Sequence, residues 1–75
     1  MTIDEATRKE SERFLQEECG AKKSRLVDTG EFANLAAKNN LLDKVGIRTF
    51  QINQLKYTQF YTQLNGEHVY SVLNE

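Results

Sequence analysis

Apolar residues recur along this chain at offsets of three and four, and the runs are broken at Gly20, Gly30, Gly46 and Gly66. That spacing predicts helices joined by glycine turns. The first helix is expected over residues 3–19, with Thr2 and Glu5 in the positions of a capping box and Gly20 as the stop. Its apolar members are few (Ile3, Ala6, Phe14, Leu15 and Cys19), and the run Thr7 to Arg13 between them is polar. It is therefore expected to dock through Phe14 and Leu15, with residues 1–20 loosely packed.

A second helix is predicted over 29–45. Asp28 stands at its cap and Glu31 three residues on, and Phe32, Leu35, Ala36, Leu42 and Val45 form its stripe. A third is predicted over 49–64, capped by Thr49. Phe50, Ile52, Leu55, Tyr57, Phe60, Tyr61 and Leu64 spread over more than one of its faces, the mark of a helix buried on two sides or held at an interface. The tail contains the β-branched run His68-Val69-Tyr70-Ser71-Val72, which fits a strand almost as well as a helix. No second strand offers itself as a partner, so a short fourth helix over 67–73 is the expectation.

The expected fold is all-α: one small domain of three helices and a short C-terminal helix, with core helices over 28–66. Its expected core is Phe32, Leu35, Ala36, Leu42, Val45, Ile47, Ile52, Leu55 and Phe60. The crossing around Gly46 resembles a helix-turn-helix. In that geometry Leu42, Ile47, Ile52 and Leu55 lock the two helices, and Arg48, Thr49, Gln51 and Gln54 project from the second one toward base edges.

Charge modifies this picture. Ten basic and eleven acidic residues give a net charge of −1 over 75 residues. The acids concentrate before residue 19, and the stretch 19–56 is basic. A near-neutral chain lacks the strongly basic face expected of a free-standing duplex-DNA reader. The basic middle still nominates Lys38, Lys44, Arg48 and Lys56, with Gln51 and Gln54, as contacts to a nucleic-acid backbone. A domain of this length buries only about 60% of its unfolded surface, which makes a partner or self-association an expectation too. Phe14, Leu15, Tyr57 and Tyr61 are the candidate protein-interface residues.

The segments Phe32-Ala33-Asn34-Leu35-Ala36-Ala37 and Arg48-Thr49-Phe50-Gln51-Ile52-Asn53-Gln54-Leu55 add a resemblance. Over about residues 30–64 the chain resembles the small helical subunit of type III CRISPR effector complexes. In that family an alanine-rich helix precedes a threonine/serine-x-glutamine-isoleucine-arginine element. Thr49, Gln51 and Ile52 match the element, and Asn53 stands where the family has arginine. The resemblance implies a non-catalytic all-helical subunit stacked in copies along a guide RNA–target duplex, touching its backbone.

Catalytic chemistry finds little footing. Cys19 and His68 lie near opposite ends of the chain with no oxyanion loop to join them, no glycine-rich phosphate loop exists, and one Cys with one His makes no zinc set. No metal, cofactor or enzymatic activity is expected. No apolar run approaches the roughly 20 residues of a membrane span, and the acidic start lacks a leader's apolar core. A cytoplasmic assembly or adaptor subunit within a nucleoprotein complex is the expected function. The alternatives are a helix-turn-helix DNA-binding regulator and a small phage-type protein that inhibits a protein partner.

Overall fold

Helix α1 runs from Glu5 to Cys19 in a computed structural model that describes residues 3–74. Its cap is Asp4, whose Oδ1 accepts the Thr7 N–H at 2.8 Å. The expected capping role of Thr2 falls outside the described residues. Gly20 ends α1 at φ 67, the left-handed conformation that glycine adopts without a Cβ clash, and its N–H returns to the Leu15 carbonyl. Asp28 caps α2, Thr29–Lys38, by accepting the Glu31 N–H at 2.7 Å. α2 is shorter than the spacing predicts. Asn39 closes it, Asn40 turns to φ 57, and Leu42–Lys44 forms only a short 3-10 turn.

The rest of the chain overturns the all-α expectation. Where the third and fourth helices were expected, the chain forms strands β2 (Gly46–Ile52), β3 (Leu55–Leu64) and β4 (Glu67–Asn74), with β1 (Ser24–Leu26) added earlier in the sequence. The sheet order is β1-β4-β3-β2; β1 lies parallel to β4 and the other neighbours are antiparallel. The fold is α+β. No helix-turn-helix exists at Gly46, which begins a strand, and the segment resembling the CRISPR subunit's motif is β2 with its hairpin rather than a helix.

Two tight turns cause this. Asn53 and Gln54, at φ 52 and 71, join β2 to β3, and Asn65 and Gly66, at φ 53 and 80, join β3 to β4. Two consecutive left-handed residues match the twist of the flanking strands, and Asn-Gly is the pair that adopts this turn most readily. With the turns fixed, period two replaces period 3.6. Arg48, Phe50 and Ile52 face one side with Tyr57, Gln59 and Tyr61, whereas Ile47, Thr49 and Gln51 face the other with Thr58 and Phe60.

Each face takes one helix. Leu15 of α1 packs with Ala21, Tyr57, Tyr70 and Val72 on the first; Phe32 of α2 packs with Val27 and Val69 on the second. Of the expected core, Phe32 and Ala36 are buried, and Leu35, Val45, Ile52 and Phe60 are half-buried. Leu42, Ile47 and Leu55 are 66%, 62% and 49% exposed, because their positions lie at the sheet's open end beyond α2 or beyond the hairpin. The fully buried Leu15, Val69 and Tyr70 take their place, each contributing about 1.5–3 kcal/mol of transfer free energy.

Gly46 has a packing role in place of the turn expected of it. A Cβ there would overlap the ring of Tyr61, its cross-strand neighbour. The Tyr61 ring is itself held edge-on to Phe14 at 5.3 Å. Gly46→Ala is expected to tilt that ring and destabilise the domain by about 1 kcal/mol, at the low end for overpacking because Tyr61 is only half-buried. Thermal unfolding checks this; an unchanged midpoint would show that the ring moves freely.

Candidate interaction edge

Among the described residues, strand β2 has a partner on one side only. In a two-residue hairpin the residues closing the turn, Ile52 and Leu55, exchange both backbone hydrogen bonds, and the pattern alternates from there. Phe50, Arg48 and Gly46 therefore bond inward to β3. Ile47, Thr49 and Gln51 turn their N–H and C=O groups outward, and their side chains lie exposed on the α2 face. Sheets commonly blunt such an edge with lysine, proline, a bulge or a very short strand. The other edge strand, β1, is three residues long. β2 is seven residues long, pairs with β3 without a bulge, and has no charge or proline among its outward positions.

Beside this edge is an apolar groove of about 300 Å³ between α2 and the sheet, lined by Phe32, Ala36, Leu42, Val45, Ile47 and Phe60. α2 covers β4 and leaves the β2–β3 end open, so Ile47 and Leu42 stand at the groove's rim in solvent. An open apolar groove along a free strand can accept an extended backbone and one or two of its side chains.

The opposite side of β2 is closed. Arg48 points under α1, where its guanidinium donates to Gln59 Oε1 at 3.0 Å and to Glu10 Oε2 at 3.2 Å. It also lies over the rings of Phe14 at 4.1 Å and Phe50 at 4.6 Å. The Gln59 amide in turn donates to the Ser11 carbonyl at 3.3 Å. Glu10 is held below the usual glutamate range, chiefly by the Arg13 guanidinium; burial opposes this and Arg48 adds to it. Tyr70 donates to Glu12 at 2.8 Å, and burial, reinforced by that carboxylate, holds its phenol protonated far above the ordinary value.

This geometry separates the residues nominated from sequence. Arg48 is committed to the α1 face and is not presented to a nucleic acid. Gln51 and Lys56 meet as a cross-strand pair on the opposite face, with Gln54 in the adjoining turn. Lys38 and Lys44 precede the start of β2 in the chain, in the last turn of α2 and in the 3-10 turn. Among the interface candidates, Leu15 and Tyr57 are core residues and Phe14 and Tyr61 are packed beneath α1, so none of the four presents an open face. The exposed apolar residues of the open end, Leu42 and Ile47, had been assigned to the core. Alternation from Ile47 to Ile52 is the signal that places Ile47 on the face opposite Phe50 and Ile52; Leu42 lies outside that segment.

Among the described residues no group of three or more His, Cys, Asp or Glu is placed to hold a metal, and no helix is long and apolar enough to cross a membrane. Compared with known protein families, curated proteins and solved structures, the chain matches none.

Proposed function

We propose that this chain is a non-enzymatic assembly or adaptor subunit that binds a protein partner by adding the partner's strand to the free edge of β2. The observation that carries this reading is the free edge itself: a seven-residue strand whose Ile47, Thr49 and Gln51 turn their backbone groups outward, with no charge or proline among those three and no bulge. Strand addition gives affinity through main-chain hydrogen bonds and specificity through side-chain pockets beside the edge. The groove between Leu42, Ile47 and Phe60 supplies such a pocket. A cytoplasmic setting belongs to the same proposal, motivated by a single free cysteine, Cys19.

Thr49→Pro tests it. Proline is tolerated on an edge strand where its missing N–H would have faced solvent, so the domain should keep its circular dichroism spectrum. The variant loses the central outward donor and fills the edge with a ring. Wild type and variant are used as bait in the native host, with and without nuclease. Partners retained by wild type and lost by Thr49→Pro, irrespective of nuclease, are the expected result. Equal retention by both baits would sink the edge reading. Retention abolished by nuclease would favour instead a nucleoprotein setting with backbone contacts, as the CRISPR resemblance implies.

A further inference from the structure

Each end of the β2 edge has an exposed lysine beside it, the first with Asp43 adjoining it in the 3-10 turn. Lys44 lies two residues before the strand begins, and Lys56 stands across from Gln51 near its end. Both side chains are exposed, and neither forms an ion pair with a described residue. Between them run about 20 Å of strand, at roughly 3.3 Å per residue, whose outward side chains are Ile47, Thr49 and Gln51, all neutral. From Phe32 to Gly66 the sequence holds one acid, Asp43, against Lys38, Lys44, Arg48 and Lys56. On the other face Glu10 is engaged by Arg48 and Arg13, and Glu17 by Arg13.

We infer that the strand received at β2 is an extended protein segment with a neutral, β-branched centre of about five residues and a carboxylate at each end, one facing Lys44 and one facing Lys56. The inference rests on the strand-addition reading above and specifies its partner. A second copy of the chain brings no carboxylate on its own outward positions. Two β2 strands paired antiparallel about Thr49 place Gln51 of each opposite Ile47 of the other, both neutral, so Lys56 gains no acidic residue directly across the pair. A partner with acidic ends meets a lysine at each end, and its encounter is steered by that attraction.

The probe is the synthetic peptide acetyl-ETVTVTE-amide, whose glutamates and valines share one face, compared with acetyl-KTVTVTK-amide and with a twelve-nucleotide oligothymidine. Affinity is measured by titration calorimetry, and amide exchange at Ile47, Thr49 and Gln51 is followed by NMR on the full chain. The acid-ended peptide is expected to bind at least about tenfold more tightly than the lysine-ended one, with the difference shrinking as salt rises. It should also slow exchange of the three outward amides at least about tenfold. A Lys44→Glu, Lys56→Glu double variant should reverse the order of the two peptides. If the lysine-ended peptide binds equally well and protects the same amides, the charge inference fails while strand addition stands. If neither peptide protects them, both fail. Amides already protected in the free protein, with a doubled mass by light scattering, would assign the edge to a second copy. Protection by the oligothymidine alone would assign it to a nucleic acid.

Discussion

Leu15→Ala is expected to lower the stability of the domain by about 3–4 kcal/mol, read from the urea-unfolding midpoint at unchanged slope. Leu15 is fully buried at the centre of the cluster that joins α1 to Tyr57, Tyr70 and Val72. Truncating a buried leucine removes its transfer free energy and leaves a cavity, together typically about 2.7–5 kcal/mol. α1 offers little to collapse into that space. Its other inward positions include Thr7 and Ser11, both fully buried and polar. A single domain of this length has on the order of 4–11 kcal/mol in total, so the variant should sit close to unfolding at physiological temperature. A loss below about 1 kcal/mol would mean that α1 does not dock as described.

Arg48→Ala is expected to cost about 2–3 kcal/mol by the same measurement, a large effect for a residue that looks like a surface cation in the sequence. The substitution strips the Gln59 carbonyl oxygen of its donor while Gln59 itself remains fully buried. It also leaves Glu10 without its cross-element partner and removes a cation from two aromatic faces. Breaking a fully buried pair costs about 3–5 kcal/mol. The expected figure is lower because the Arg48 and Glu10 side chains retain 18% and 26% of their exposure. Arg48→Lys should recover less than half of the loss, since an ammonium cannot hold both acceptors and stack on a ring. Full recovery by lysine would show that charge alone, without the planar fork, is what matters.

These two residues show what the sequence could and could not convey. The course of α1, its Gly20 stop and the Asp28 cap of α2 were legible because each depends on neighbours within four residues. The strands were not, because one misreading forced the next. Taking residues 49–64 as a helix removed the antiparallel partner of the β-branched run at 68–72, and that run then reads as helical as well. Asn65-Gly66 carried the correction, since it is a hairpin signal as much as a helix stop. The candidate site followed the fold. Lys44, Gln51 and Lys56 are exposed as charged and polar side chains usually are. Arg48, Leu15 and Tyr57 changed roles because alternation in a strand, or the closing of α1 over the sheet, puts them inside.

The parallel pairing of β1 with β4 has a consequence for the order in which the molecule is made. Ser24 pairs with His68, so the strand that follows α1 has its only partner near the far end of the chain. β4 is also an interior strand, flanked by β1 and β3. Until β4 has been made, β1 has nothing to pair with, α1 lacks Tyr70 and Val72, and α2 lacks Val69. The two hairpins, being local, close quickly; the joining of β1 and α1 to them must wait for loop closure over more than half the chain. β4 is thus the strand on which the two halves of the domain close. Until β1 joins it, β4 presents a second open edge, on the opposite side of the sheet from that of β2.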